Sequence, residues 1–233
     1  MKRVFVIWIL LAYVAVGYGQ TLGISNVVAT AEDYVLLLET KGYRTFAYDV
    51  TSLKDETYWI EPVIQHYQNG KLVPNMFDIP VQFSSRDMLA SENDEYVERM
   101  RKTGQIYDEQ NGILSLCEKI RVGFAPSNDQ CVRIMRFYVT NRGNVTLPLF
   151  FDKQIDLKTG MEEEVYSYGF VPFVVDEIVL DKFIPLVMCG AYWYDENSES
   201  FRFCGEEVLT EEMTENILKM VKDYYVIGMK VHR

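Results

Sequence analysis

The sequence has few of the residues on which most hydrolases and metalloproteins depend. Its 233 residues include only two histidines. It has no G-x-S-x-G, H-E-x-x-H or C-x-x-C motif and no phosphate-binding glycine loop. His66 lies in a predicted hairpin, where a structural role is favoured, and His232 is next to the last residue. A histidine-based nucleophile or a multi-histidine metal site is therefore hard to build, and we expect no catalytic triad, metal or cofactor.

Cysteine is also scarce. Four cysteines are too few for a disulfide scaffold, and a hydrophobic content of 48% is enough to form an ordinary core. The segment "VMCGAYWYDENSESFRFCGEE" predicts a hairpin with a four-residue loop, which pairs Tyr194 with Glu199 and places Cys189 opposite Cys204. Cysteines that face each other on paired strands can form a disulfide in an oxidising compartment. The alternative is two buried free thiols, while Cys117 and Cys131 have no assigned partner.

Long hydrophobic runs are absent except at the N-terminus. Lys2 and Arg3 precede a mostly apolar run from residue 4 to residue 16, and Gly17 and Gly19 provide small side chains before a cleavage site. This pattern predicts a signal peptide over residues 1–19. An uncleaved anchor is the weaker alternative, because a membrane-spanning helix needs about 20 apolar residues. We expect a secreted or periplasmic protein that does not span the membrane after cleavage.

Positive charge is in deficit. The chain has 34 acidic and 23 basic side chains and a net charge of −11. Such a surface repels phosphate backbones, so we expect no nucleic-acid partner.

Alternating apolar residues predict a sheet corner in "FYVTNRGNVTLPLFF", residues 137–151. For both strands to bury one face, Val139 should lie opposite Val145 and Met135 opposite Leu149. This register leaves a three-residue loop, Asn141-Arg142-Gly143, with the glycine where a positive φ is required. Pro148 lacks an amide donor, which predicts an edge strand or a bulge.

The same corner contains a possible N-glycosylation acceptor. Asn144-Val145-Thr146 fits the pattern N-x-T. The tripeptide has low specificity, so the sheet corner is the favoured interpretation. A glycan on the polar face of the strand would nevertheless be sterically allowed.

The rest of the chain predicts further strands and two helices. Asn69-Gly70 is a favoured two-residue hairpin turn, and the polar segment 84–112 contains a helix that ends at Gly104. Thr210 can cap a C-terminal helix with an apolar stripe from Leu209 to Tyr224. Residues 34–50 form either two strands that turn at residues 41–42 or, in part, a helix capped upstream at residue 30.

These elements predict a mainly β (α+β) fold. We expect an antiparallel β-sandwich-like domain with a helical insertion and a C-terminal helix. The mature chain, residues 20–233, is treated as a single domain whose polar insertion lies at about 84–112.

Aromatic residues supply the candidate ligand surface. The predicted register places Trp193 beside Arg202 on a face that could stack on a sugar ring or a peptide, and Trp59 is a second candidate. The alternative is that these rings belong to the core, since aromatic residues in strands are more often buried.

The signal peptide, the tyrosine-rich strands and the "YVTNRGNVTLPLFF" corner resemble small secreted proteins of unknown function from Gram-negative gut bacteria. Residues 138–147 also resemble a strand corner of immunoglobulin-like bacterial modules. Neither resemblance implies a catalytic residue. The favoured hypothesis is an exported noncatalytic binding or adhesion module for a glycan, a peptide or an envelope protein. The alternatives are a carboxylate-based hydrolase of extracellular polymers and an assembly component that pairs through a strand edge.

Overall fold

Strands with alternating apolar side chains make up most of the fold. The computed structural model describes residues 35, 38–74, 77, 79–129, 131–152, 167–195, 197–203 and 205–233. Residues 1–19, predicted as a signal peptide, lie outside this part of the chain. No helix within it is long and apolar enough to cross a membrane.

The strands are β1 (Arg44–Asp49), β2 (Trp59–Gln68), β3 (Lys71–Leu72), β4 (Phe83–Ser84), β5 (Arg86–Met88), β6 (Ile113–Leu116), β7 (Lys119–Pro126), β8 (Val132–Val139), β9 (Gly143–Phe150), β10 (Tyr168–Pro172), β11 (Ile184–Ala191), β12 (Trp193–Asp195), β13 (Ser200–Arg202) and β14 (Asp223–His232). Two helices are α1 (Asp94–Lys102) and α2 (Asn216–Met220), residues 38–40 are also helical, and short 3₁₀ turns cover Thr51–Lys54 and Leu89–Ser91.

Two antiparallel sheets form a sandwich. Sheet A has the order β1-β7-β8-β9, and sheet B has the order β10-β11-β14-β2-β3, with β4 also paired to β2. Two small sheets, β5-β6 and β12-β13, complete the strands. The predicted mainly β, sandwich-like fold is confirmed.

The core between the sheets forms because every second side chain along each strand is apolar and points to the same face. Sheet A contributes buried side chains such as Ile120 and Phe137, and sheet B contributes Ile64, Tyr225 and Ile227. Burying a side chain of this size stabilises the fold by about 1.5 to 3 kcal/mol. This core therefore fixes which face of each strand points inward.

A second core covers the outer face of sheet B. Met188 and Val226 on that face pack with Trp193, Leu209 and Ile217 from the C-terminal part of the chain. Strands β11 and β14 are consequently buried on both faces, which is why their sequences are almost continuously apolar.

The predicted C-terminal helix is wrong for most of its length. Only Asn216–Met220 are helical, Leu209 bridges to Phe173, and Tyr224 belongs to β14. Strand β14 pairs along its length with β2 and also pairs with β11. This pairing includes Tyr224, which the apolar stripe in the sequence had assigned to the helix. Thr210 does not cap a helix, because the helix begins only at Asn216, after Glu215.

The corner at β8 and β9 keeps its predicted face but not its predicted register. Val139 lies opposite Gly143 and Met135 opposite Leu147, so the pairing is shifted by two residues from the prediction. A shift of two leaves every side chain on the same face, and the apolar pattern therefore did not distinguish the two registers. The loop is Thr140–Arg142. Strand β9 is an edge strand, as Pro148 predicted.

Other local predictions are confirmed. Asn69 and Gly70 both have positive φ and join β2 to β3. Helix α1 lies in the polar insertion, begins after Asn93, whose side chain accepts from the Tyr96 amide, and is followed by Gly104 at φ +65°. Residues 38–40 are helical, as in the alternative prediction, while residue 30 lies outside the described residues.

Arg142 fastens the insertion to the sheet corner. Its side chain is only 5% exposed and pairs with Asp87 at 2.8 Å. Its guanidinium also donates to the carbonyl oxygens of Ser84 and Ser115, each at 2.8 Å. One loop residue thus holds β4, β5 and β6 against the β8–β9 hairpin.

Replacing Gly143 by valine should destabilise the fold by more than about 1 kcal/mol. Gly143 has φ +144°, and a Cβ there would lie 3.3 Å from the Phe83 ring. Chemical denaturation of Gly143→Val, with Asn144→Val at the next, exposed position as the control, measures the effect. Equal unfolding midpoints for the two variants would contradict it.

Replacing Arg142 by methionine should cost about 3 kcal/mol, because Asp87 and two carbonyl oxygens lose their donor. Thermal unfolding measures this loss. Arg99→Met, at an exposed position of α1, removes the same charge and should change stability by less than about 0.5 kcal/mol. A small effect at both positions would show that Arg142 does not fasten the insertion.

Candidate functional site

The two sheets leave a seam between their edge strands. Strand β1 is the edge of sheet A and β10 is an edge of sheet B. One cavity, of about 480 Å³, is lined by Arg44–Phe46 and Tyr168–Phe170. A second, of about 820 Å³, is lined by 47–50 and by residues of the segment 173–180. We call them the seam pocket and the acidic cleft.

Aromatic rings close the seam beside the pocket. Phe46 of β1 lies 6.5 Å from Phe170 of β10 between ring centroids, and Phe170 lies 4.7 Å from Phe124 of β7. All three side chains point inward by the period-two rule. The seam is therefore filled by an apolar cluster at this level.

A charged side chain enters the seam pocket from the interior of the sandwich. Arg133 has the same parity on β8 as Met135 and Phe137, which are fully buried. Its guanidinium carbon lies 4.4 Å from the centroid of the Tyr168 ring. This is a cation–π contact with a ring at the start of β10.

The guanidinium of Arg133 lacks an acidic partner among the described residues. Its buried Nε atom has no hydrogen-bond partner. Burial lowers the pKa of Arg133 from its ordinary value. The neighbouring Arg44, by contrast, forms an ion pair with Glu39 at 3.3 Å. Buried donors are normally satisfied, so this unpaired Nε is an exception. Nε itself is closed to solvent, but Arg133 lines the seam pocket, and an acceptor in the pocket can reach the rest of its guanidinium.

Gly42 and Gly169 let other segments approach this pocket. Gly42 has φ +81°, and a Cβ there would lie 3.2 Å from Nη1 of Arg133. Beside β10, the ring of Phe203 occupies the place that a side chain at residue 169 would need. Phe203 also stacks on Tyr192 at 5.4 Å between centroids. The pocket wall is thus aromatic and lies directly against the main chain.

The acidic cleft has a different chemistry. Its walls include Tyr48, Tyr58, Asp49, Asp176 and Glu177. The Tyr48 hydroxyl donates to the carbonyl oxygen of Leu186, and burial raises the pKa of Tyr48. Hydrogen bonds from Thr51 lower the pKa of Asp49. A general acid needs a raised carboxyl pKa, and Asp49 is shifted the opposite way.

The predicted ligand residues do not form one site. Trp193 is only 6% exposed and packs 6.0 Å from the Phe203 ring, so the prediction of an exposed platform there is wrong. Arg202 lies opposite Trp193 and pairs with Asp195 at 3.0 Å. Trp59 is 42% exposed but lines neither the seam pocket nor the acidic cleft.

The predicted pairing of Cys189 with Cys204 does not arise from the hairpin. The β12–β13 ladder pairs Tyr194 with Phe201, two residues away from the predicted register. Cys189 instead lies in sheet B between Phe170 and Tyr225. It is a buried free thiol, and burial raises its pKa. Cys204 lies outside the described residues.

Both histidines are engaged by carboxylates away from the seam pocket. Nε2 of His66 lies 2.7 Å from Asp223, and the imidazole stacks on Tyr225 at 4.1 Å. His232 contacts Asp181 and Glu61, and these hydrogen bonds raise its pKa. His66 is buried in the core and lines neither described cavity of the seam.

Arg133 was missed from the sequence although a signal was present. In "CVRIMRFYV" it shares parity with Met135 and Phe137, whereas Arg136 lies on the polar parity. A charged residue on the apolar parity of a strand must enter the core or a cavity. That rule would have singled out Arg133.

Replacing Arg133 by methionine should leave stability unchanged within about 0.5 kcal/mol or increase it, because a desolvated charge without an acid is removed. Thermal unfolding compares this variant with Arg142→Met, which removes a paired arginine. If Arg133→Met destabilised the protein as strongly as Arg142→Met, Arg133 would be a structural residue.

Comparisons with known proteins identify a family. Residues 14–233 match the family described as "Domain of unknown function (DUF5041)". No curated protein and no solved structure matches. The match agrees with the resemblance to proteins of unknown function that the sequence indicated.

Proposed function

The chain belongs to the DUF5041 family, and we propose that it is an exported, noncatalytic binding module whose seam pocket takes the carboxylate of an acidic sugar. The observation that carries this proposal is the half-buried side chain of Arg133, which lines the seam pocket without a carboxylate partner among the described residues. Export rests on the N-terminal sequence pattern.

The geometry of arginine favours a carboxylate as the missing partner. The guanidinium is planar and presents paired N–H groups that match the two oxygens of a carboxylate. Its central carbon lies 4.4 Å from the centroid of the Tyr168 ring, a contact that supplies no hydrogen-bond acceptor in the ring plane. Removal from water strengthens such a bond, because the competing hydration is already lost.

The pocket walls favour a sugar as the carrier of that carboxylate. Tyr168, Tyr192 and Phe203 line the pocket and give it an aromatic wall against which the C–H groups of a sugar can pack. Among the described residues β1 and β10 are edge strands, so main-chain donors and acceptors of their outer edges can bond to hydroxyl groups, except near Pro172, whose carbonyl oxygen accepts from the Leu209 amide. A purely apolar ligand would leave these groups unsatisfied.

The other two hypotheses have less support. The acidic cleft offers carboxylates, but the pKa of Asp49 is lowered, which does not suit a general acid. Assembly through a strand edge requires a long, bare, apolar strand. Strands β1 and β10 have only six and five residues, and β1 alternates exposed with half-buried side chains. The other edge of sheet A, β9, has eight residues but contains Pro148, which has no amide donor for a pairing strand.

Isothermal titration of the mature protein with glucuronate and galacturonate tests the proposal. Glucose and galactose are the neutral controls. Titration with glucose 6-sulfate determines whether the anion must be a carboxylate. Binding of at least one uronic acid is expected, with Arg133→Met weakening it about 10- to 100-fold, since one charged hydrogen-bonded contact contributes roughly 1.5 to 3 kcal/mol.

Arg133→Lys should recover only part of the affinity, because lysine lacks the planar fork. Arg99→Met removes an equal charge from α1 and should bind as the parent does. Equal affinity of the parent and Arg133→Met, or binding of neither uronic acid, would overturn the proposal.

A further inference from the structure

The outer face of sheet A carries a second cluster of positive side chains. A depression of about 220 Å³ is lined by Thr45, Arg121, Gly123, Arg136 and Tyr138. These residues have the polar parity of β1, β7 and β8 and therefore point away from the sandwich core. The depression is on the open face of the sheet.

The strand register creates the depression. Thr45, Gly123 and Arg136 lie side by side across three strands, and Arg121 lies opposite Tyr138 on the next polar row. Gly123 has no side chain, and a Cβ there would come no closer than 3.6 Å to another side chain. The floor is therefore open between two arginines that are diagonal neighbours.

Neither arginine is neutralised by an acid in the described part of the chain. Arg121 donates to the Thr140 hydroxyl at 3.0 Å, and Arg136 donates to the Thr146 hydroxyl at 3.1 Å. Like charges at neighbouring cross-strand positions are unfavourable. In a chain with 34 acidic side chains, two such arginines without a carboxylate indicate a surface for an anionic group.

The depression adjoins the seam pocket. Thr45 lines both cavities, so only the edge strand β1 separates them. Neighbouring strands lie about 4.8 Å apart, which places Arg136 on β8 roughly 10 Å from β1. A single extended ligand can cross β1 at Thr45 and reach both.

We propose that the depression is a second anion subsite, and that the ligand is a polysaccharide whose acidic sugars alternate with neutral ones. This inference rests on the proposed function of the seam pocket. One acidic sugar occupies the pocket at Arg133, and another lies over Gly123 between Arg121 and Arg136.

Two features favour sparse charge on the ligand over a phosphate backbone. The net charge of −11 repels densely charged polymers at long range. The hydroxyl of Thr45, which lines the depression beside the arginines, suits the hydroxyl groups of neutral sugars.

A chain-length series tests the inference. Hyaluronan-derived oligosaccharides, in which a uronic acid alternates with a neutral sugar, are titrated from the disaccharide to the octasaccharide and compared with the free uronic acid. The parent should bind the longest oligosaccharides at least 10-fold more tightly than the free uronic acid.

The double variant Arg121→Gln/Arg136→Gln should lose this gain and keep the affinity for the free uronic acid. Arg99→Gln/Lys102→Gln on α1 removes the same charge and should bind as the parent does. Circular dichroism and thermal unfolding of both double variants check that they remain folded.

The outcomes separate the two proposals. If the free uronic acid binds through Arg133 but the Arg121/Arg136 variant binds long oligosaccharides as the parent does, the second subsite is overturned and the seam pocket stands. If oligosaccharide binding depends on Arg121 and Arg136 but not on Arg133, a single ligand does not bridge the seam pocket and the depression. The proposed function then fails together with this inference. Tighter binding of single-stranded DNA than of every oligosaccharide, lost in the same variant, would instead make this face a nucleic-acid surface.

Discussion

The side chain of Arg133 is half-buried at the seam of a sandwich whose described residues supply no carboxylate to neutralise it. Desolvation of a charge is costly, and here it is offset only in part by the Tyr168 ring. The large core between the two sheets provides the stability that tolerates this cost. Violations of such packing rules are expected at functional sites, and a carboxylate from outside the chain would offset the cost, which is the reason for the proposed ligand.

The position of that charge follows from the way the sheets end. Sheet A ends at β1 and sheet B at β10, and the aromatic cluster around Phe170 fills only part of the seam between them. The covering layer of the C-terminal segment brings Phe203 to the same edge. Edge strands, a buried arginine and aromatic rings thus meet at one opening, while the arginines of the outer face lie just across β1.

The sequence predicted which face of each strand is buried better than it predicted which residues pair across strands. Period two identified the apolar face of β8 and β9, and the turn at Asn69 was correct, because each depends on a few neighbouring residues. The registers predicted for the β8–β9 and β12–β13 hairpins were each wrong by two residues, since the alternation of apolar side chains cannot distinguish registers that differ by two. The long C-terminal helix failed because long-range pairing of β14 outweighed a local stripe, and Trp193 proved to be covered by that same layer. The seam pocket joins residues that are distant in the chain, so its lining could not be predicted from local patterns.

A crystal structure grown in the presence of galacturonate would show whether Arg133 binds an acidic sugar. We expect the carboxylate of the sugar to accept hydrogen bonds from the guanidinium of Arg133, with the sugar ring against an aromatic wall of the seam pocket. A guanidinium already bonded to a carboxylate of the chain itself, with no sugar in the pocket, would contradict it.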